Sequence, residues 1–435
     1  MSKIESKTFV PELRFPEFLN EGSWKNKLLG ECLLGKPEYG INAPAVPYSH
    51  ELPTYLRITD ILENGQISQD KKVSVERDVI AKNYLDVGDI VLARTGASVG
   101  KSYKYREKDG KLVFAGFLIR IKPDERKLNS EFLFQYLFTE QYWKWVSVNS
   151  ARSGQPGING NEYSLLSIPV PTQIEEQQKV ADCLSSMDDL ITTNIKKLES
   201  LELHKKGLMQ KLFPDEGKSV PELRFDGFED EWKVRSLDTD IDVIDGDRGV
   251  NYPKQQDFSK SGYCLFLNAK NVTKTGFKFD EVQFISKDKD EKLNKGKLTR
   301  EDVVLTTRGS VGQFAYYSEE VLFEHLRINS GMVILRAKDF KTISPSYLYI
   351  FSGSEFLFKQ ISNMAFGNAQ QQLTVSGIKK ISLCFPKAEE QKKIVDCIFS
   401  INTLISRQTE KITTLKEYKR GLMQQLFPEM KESIA

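Results

Sequence analysis

The sequence predicts an α+β protein built as a duplication: two similar globular domains separated by an antiparallel two-helix coiled coil, with a pseudo-twofold relation between the halves. Three observations point there. A set of short motifs occurs twice, in the same order, along 435 residues. Each copy opens with short β-rich runs broken by turn signals and closes with about 40 residues free of proline. The two closing segments carry core-type residues at alternating steps of four and three, the spacing of paired helices.

The repeat is explicit. Val10-Pro11-Glu12-Leu13-Arg14-Phe15 returns as Val220-Pro221-Glu222-Leu223-Arg224-Phe225, and each copy is followed by Trp-Lys, at Trp24-Lys25 and Trp232-Lys233. Gly40-Ile41-Asn42-Ala43-Pro44 matches Gly249-Val250-Asn251-Tyr252-Pro253. Asp89-Ile90-Val91-Leu92 with Arg94 and Gly96 answers Asp302-Val303-Val304-Leu305 with Arg308 and Gly309. Gly207-Leu208-Met209-Gln210 and Leu212-Phe213-Pro214 return as Gly421-Leu422-Met423-Gln424 and Leu426-Phe427-Pro428. A conserved order of this kind marks an internal repeat, which is read before any single element.

The expected boundaries follow: residues 1–171 and 215–386 as the two domains, 172–214 as a central long helix, and 387–435 as a distal long helix and tail. Within the domains, Asp89–Ala93, Phe117–Ile121, Val303–Leu305 and Met332–Leu335 read as strands, and the aromatic-rich stretch Glu131–Phe138 as a short helix against a sheet. In the central helix the seam runs through Val180, Leu184, Met187, Ile191, Asn194, Leu198, Leu201, Lys205, Leu208 and Leu212. In the distal helix it runs through Ile394, Ile398, Ile401, Ile405, Gln408, Ile412, Leu415, Lys419, Leu422 and Leu426. The polar interruptions coincide, and a buried Asn194–Gln408 pair would fix register at a cost in stability. Leu190, Phe399 and Leu404 lie off the seam and suggest a second apolar stripe for a docking partner.

Forty helical residues make a rod of about 60 Å. Helix one ends where the second domain begins, so the second helix must run back antiparallel for the seams to meet. The expected shape is a dumbbell, with residues 1–18 packing near the end of the second helix and making the molecule almost circular.

Composition excludes several classes. Sixty-two Lys and Arg against sixty Asp and Glu leave a net charge of +2, so no global positive field drives binding to a polyanion; local patches are unaffected by that sum. The five cysteines show no zinc or CxxC spacing, the N-terminus has no apolar signal region, and no uncharged apolar run of about 18 residues occurs. The expectation is a reduced, cytoplasmic protein without a membrane partner or a metal site.

His50, His204 and His325 stand in unrelated contexts, and the absence of Pro-Pro excludes the Asp/Asn-Pro-Pro-aromatic loop of amino-methyltransferases. Gly96-Ala97-Ser98-Val99-Gly100-Lys101-Ser102 resembles a phosphate-binding loop, but three residues separate its glycines where four are required, and Gln313 replaces Lys101 in the second copy. Pro221-Glu222 with Glu231-Trp232-Lys233 faintly resembles a nuclease triad, yet its first-half equivalent, Ser23-Trp24-Lys25, lacks the acid.

Two divergent domains alternate with two repeated helices that begin near Glu175-Glu176-Gln177 and Glu389-Glu390-Gln391 and end in Gly-Leu-Met-Gln-x-Leu-Phe-Pro. In this the chain resembles, over essentially its whole length, the DNA-specificity subunits of type I restriction–modification systems. The resemblance implies two target-recognition domains on double-stranded DNA, each reading one half of a split, asymmetric site. It implies a helix pair that binds two modification subunits, which carry S-adenosylmethionine and the methyl-transfer chemistry. It also implies restriction (motor-nuclease) subunits that use ATP and Mg. The specificity subunit itself would hold no cofactor and no catalytic residue.

Candidate DNA contacts are loops in which Arg, Asn, Gln and Ser accompany glycine, since these side chains present donors and acceptors to base edges and glycine admits close backbone approach. The first domain offers Tyr39, Arg94, Thr95, Ser98, Lys101, Tyr103, Arg152, Gln155, Asn159 and Asn161. The second offers Arg248, Arg308, Ser310, Gln313, Asn363, Asn368, Gln370, Gln371 and Gln372. As a ruler, a 60 Å rod would span at most about 18 base pairs. The alternative is a structural coiled-coil adaptor that positions two protein clients without touching DNA; nucleotide hydrolysis at Gly96–Ser102 ranks third.

Overall fold

The protein, described by a computed structural model over residues 9–68, 70–152, 154–215, 217–366 and 372–428, divides into two compact units. The first is Met1–Ile195 with Glu410–Ala435, the second Lys196–Thr409. The helices Ile174–Lys211 and Ala388–Leu426 both run through this division, so each unit takes the opening of one long helix and the close of the other. Among the described residues no helix is long and apolar enough to cross a membrane.

The first unit is built on Ile90-Val91-Leu92-Ala93, all fully buried, the mark of a strand covered on both faces. It lies in a four-stranded antiparallel sheet ordered Glu38–Tyr39, Leu118–Ile121, Ile90–Ala93, Ser102–Lys104. Successive side chains point to opposite faces. Ile90, Leu92, Ile119 and Ile121 share a core with Phe132, Leu133 and Val146 from the helices Ser130–Tyr136 and Glu140–Ser150. Val91, Ala93 and Leu118 meet Leu56, Leu112 and Phe114 of a second sheet, whose strands Thr54–Leu56 and Leu112–Phe114 are parallel. A separate antiparallel pair, Lys25–Leu28 with Ser167–Val170, ties the start of the domain to the segment before the central helix.

The second unit repeats this plan. Its main sheet is ordered Ile241–Asp245, Met332–Ala337, Val303–Thr306, Phe314–Tyr316. Val303, Leu305, Val333 and Leu335 face Tyr347, Leu348 and Phe351, while Val304, Ala315 and Ile334 face Leu265 and Leu326 of a smaller sheet. There too the strands Cys264–Phe266 and Leu326–Arg327 run parallel. The closing pair is Lys233–Ser236 with Ser382–Phe385. Side-chain caps start the short helices in both units: Asn129, Thr139 and Asn159 in the first, Ser344 and Thr374 in the second.

The repeated motifs are the fittings of this scaffold. Arg14 grips Glu176 with two hydrogen bonds of 2.7 and 2.8 Å, and Arg224 grips Glu390 with two of 2.9 and 2.6 Å. Both carboxylates lie in the first turn of a long helix, the end whose dipole favours negative charge. The next residue repeats as well. Gln177 accepts the Asn129 N–H and donates to the carbonyls of Lys127 and Pro171; Gln391 accepts the Ser344 N–H and donates to those of Thr342 and Pro386. The units differ at the tryptophan: the Trp24 indole N–H donates to Glu176 at 2.9 Å, whereas that of Trp232 has no partner among the described residues.

The Leu-Phe-Pro termini plug cores. Phe427 lies 5.2, 5.7 and 6.3 Å from the rings of Phe132, Tyr136 and Trp24; Phe213 lies 5.8, 6.0 and 6.3 Å from Phe351, Tyr347 and Trp232. Leu13 donates its N–H to the Gln425 carbonyl at 3.0 Å, and Phe9 and Phe15 join the core that holds Leu426, so the opening segment lies beside the end of the distal helix.

Within each unit the helices run in opposite directions. In the first, Lys419 donates to Asp188 at 2.6 and 2.7 Å, while the earlier Val180 and Leu184 share a core with the later Met423 and Leu426. In the second, Leu212 and Phe213 share a core with Ile394 and Ile398. All twenty seam positions are buried or half-buried, Asn194 and Gln408 included, whereas Lys196, Lys197, Glu199, Glu202, Glu410, Lys411 and Lys416 beside them are exposed. Leu190 and Leu404 are exposed off the seam, but Phe399 is not their companion: it is half-buried against the second unit's core, because the first turns of the distal helix are covered by their own domain.

If the helix termini complete the cores, Phe427→Ala should destabilise the first unit by about 3–5 kcal/mol, and Phe213→Ala the second by a similar amount. Hydrogen exchange resolved by unit should show faster opening only in the unit whose plug is removed.

Candidate nucleic-acid interface

The central strand of each main sheet ends in a glycine-rich turn. In the first unit it is Ala93–Ser102, where Gly96 holds φ +70° and Gly100 φ +88°. The Ala93 N–H donates to the Lys101 carbonyl at 2.8 Å and the Gly100 N–H to the Ala93 carbonyl at 3.0 Å, closing a hairpin into the strand Ser102–Lys104. No helix follows, so the resemblance to a phosphate-binding loop ends there: that motif delivers phosphate to a helix N-terminus. Lys101 pairs with Glu63 at 2.6 Å.

Backbone bonds zip this turn to the segment after the helix Glu140–Ser150. The Gly96 N–H donates to the Pro156 carbonyl at 3.0 Å, the Ile158 N–H to the Arg94 carbonyl at 2.9 Å, and Thr95 bridges Gly157. A third segment joins at the end of the edge strand Glu38–Tyr39, where the Tyr39 hydroxyl accepts the Gly160 N–H at 3.0 Å and the Arg94 guanidinium lies 4.9 Å from the Tyr39 ring centre. The three segments nominated from sequence thus form one surface in the first unit. On it Tyr39, Arg152, Gln155, Asn159 and Asn161 are exposed and Arg94, Thr95 and Ser98 half-buried.

Some of these side chains already have work. Asn159 caps the helix Gly160–Ser164 by accepting the Glu162 N–H at 3.0 Å, and the Glu162 carboxylate returns the bond to the Asn159 N–H at 2.8 Å. Glu162 also holds the Arg152 guanidinium, which donates to the carbonyls of Asn149 and Ala151. Tyr103 is a correction. It is fully buried beneath the sheet, its hydroxyl donating to Asp109 at 2.8 Å, because its strand turns alternate residues inward. It reaches no external ligand, and burial, more than the Asp109 bond, raises its phenol far above the usual range.

The second unit gathers the matching segments. Gly309 and Gly312, at φ +74° and +83°, form a turn one residue shorter, with the Thr306 N–H donating to the Gln313 carbonyl at 3.0 Å. Leu373 donates its N–H to the Thr307 carbonyl at 3.0 Å, and Arg248 donates to Asp245 at 3.1 Å and to the Ser330 carbonyl at 3.3 Å. Asp245, Arg248, Thr307, Arg308, Gln372 and Thr374 line a cleft of about 340 Å³. Arg308 and Ser310 are exposed and Gln313 half-buried. Asn363 is exposed, but on the helix Glu355–Phe366 and not in a loop. Asn368, Gln370 and Gln371 lie outside the described residues.

Backbone geometry revises two sequence matches. Gly96 and Gly309 open the same turn, so Arg308 corresponds to Thr95, and Arg94 to the buried Thr307. The counterpart of Gly40 is Gly246, not Gly249. A Cβ on Gly40 would lie 2.2 Å from the Phe114 and Ala115 carbonyl oxygens, and one on Gly246 2.3 Å from that of Asn329, the same close backbone approach.

Asp245, Asp247 and Glu162 were not anticipated. The backbone N–H groups of Gly249 and Asn294, at 2.8 and 2.7 Å, hold the Asp247 carboxyl below the usual range and shape the turn that carries Arg248. The Asn159-x-x-Glu162 spacing of a capping box was legible; the acids of the 245–249 turn carry no such signal.

The family model described as "Type I restriction modification DNA specificity domain" matches residues 52–203 and again 229–417. The type I restriction enzyme MjaVIII specificity subunit of Methanocaldococcus jannaschii is 24% identical over 398 residues, covering 88% of each chain. The HindI specificity subunit of Haemophilus influenzae is 30% identical over 140 residues, 31% of this chain and 30% of that one. Among solved structures, a type I restriction–modification S subunit from M. genitalium aligns with a TM-score of 0.60 at 15% identity, covering 97% of this chain and all of that one. A chain solved in work on complex assembly and conformational transition of the type I R-M system aligns at 0.56 with 18% identity, covering 93% and 97%. At these identities the structures bear on the fold alone.

Gly40→Ala should force Tyr39–Ile41 away from Phe114–Leu118 and speed amide exchange at Ile41 and Gly116. Gly22→Ala, with open space around the added carbon, should leave exchange unchanged.

Proposed function

The chain belongs to the type I restriction-modification DNA-specificity family and is a specificity subunit that serves DNA sequence recognition; on that premise we propose that each unit reads one half of a bipartite DNA site through its three converging loops. The observation that supports this is the repetition of one scaffold with different tips. The sheet, the Arg–Glu clamp and the helix plug recur in both units, while the loops carry Tyr39, Arg94, Gln155 and Asn161 in one and Arg248, Arg308 and Ser310 in the other. Different side chains on a common support suit two different base sequences.

The helix pair sets the spacer between the half-sites, its register fixed by buried seam residues. The exposed Leu190 and Leu404 belong to the face that receives two modification subunits. The subunit is non-catalytic: S-adenosylmethionine chemistry lies on the modification subunits, and ATP with Mg on the restriction subunits. A net charge of +2 leaves much of the phosphate neutralisation to these partners.

Methylation mapping with the partner subunits tests both parts. A split motif with a defined gap is expected, and methylation without sequence preference would favour the adaptor reading. Insertion of one heptad at matching places in both long helices should lengthen the gap and leave the half-sites unchanged; an unaltered gap would refute the spacer role.

A further inference from the structure

We propose that Arg94 reads a guanine in the half-site of the first unit and that Tyr39 is its positioning residue, an inference that rests on the function proposed above. Of the arginines on the candidate loops, Arg152 is bound by Glu162 and Arg248 by Asp245, so both would have to exchange a carboxylate for DNA. Arg94 has no carboxylate partner among the described residues. Its guanidinium lies over the Tyr39 ring, a contact that uses its charge and leaves its N–H donors unspent.

The support is rigid on every side. The Arg94 N–H donates to the Phe117 carbonyl at 3.0 Å, and its carbonyl accepts from Ile158. The Tyr39 hydroxyl is fixed by Gly160, and its strand is pinned by the close approach at Gly40. A guanidinium held by its main chain and by an aromatic face loses little freedom on binding. Its paired donors match the O6 and N7 acceptors that guanine alone shows in the major groove. The second unit has no such stack, with the buried Thr307 in place of Arg94 and Asp245 ending the strand. Arg308, exposed in the second unit, also has no carboxylate partner among the described residues, but it stands one position further along the turn and over no aromatic ring there, so the stacked reader belongs to the first unit.

The test is methylation mapping and competition binding with the complete complex. Arg94→Ala should relax one guanine position in one half-site, cutting discrimination there by roughly 5- to 150-fold, and leave the other half-site intact. Arg94→Lys, which keeps the charge without the fork, should relax the same position with assembly retained. Tyr39→Leu should relax it in part. Replacing that guanine by 7-deazaguanine should weaken binding by wild type and not by Arg94→Ala. An unchanged motif in the variants, or uniform weakening at all positions as for a phosphate contact, overturns the proposal; so does equal sensitivity of wild type and Arg94→Ala to 7-deazaguanine. A wild-type complex without sequence preference would instead remove the proposed function itself.

Discussion

Phe427 packs among Trp24, Phe132 and Tyr136, and Phe213 among Trp232, Tyr347 and Phe351; on these two insertions the rest of the protein depends. The first unit fills its core with the returning end of the distal helix, and the second with the end of the central helix that leads into it. Each long helix is fastened at its start by a buried carboxylate gripping an arginine and at its end by an aromatic plug, and the two fastenings belong to different units. Charge and shape divide the labour. The Arg–Glu pair, costly to bury unless fully bonded, ties the start of each helix to its own unit, while the phenylalanine supplies apolar area.

This explains which parts of the sequence were legible. The seam could be read because a 3.5-residue repeat is imposed along the whole length of a helix. Ile90–Ala93 could be read because a strand covered on both faces tolerates only apolar residues. The loops obey no period. Tyr103 looked like a loop side chain, yet one step along the strand decides whether a residue faces solvent or core. Arg94 and Arg308 looked equivalent because both arginines precede a glycine of the turn, whereas the left-handed backbone at Gly96 and Gly309 shows them one position apart. Gly40 was matched through its Asn and Pro neighbours, although what the position requires is room for a carbonyl, and Gly246 meets that requirement. The Glu-Glu-Gln motif was recognisable as a repeat but silent about its role, because Arg14 lies 162 residues from Glu176.

The duplication is strict in the scaffold and loose elsewhere. Asp188 accepts from both Gln135 and Lys419 in the first unit. The corresponding lysine of the second, Lys205, has its amine pushed down by burial, only partly offset by Glu202. Two copies that keep the same fastenings have been free to differ wherever a fastening is not involved.

The main-chain zipper between Arg94–Gly96 and Pro156–Ile158 has a consequence for how such a surface can change over generations. Its hydrogen bonds join amide to carbonyl and consult no side chain, so Thr95 or Gln155 can be exchanged without loosening the loops that display them. Novelty at the tip then carries little penalty in folding, and a lineage under pressure to address new targets can explore many variants before it reaches one that misfolds.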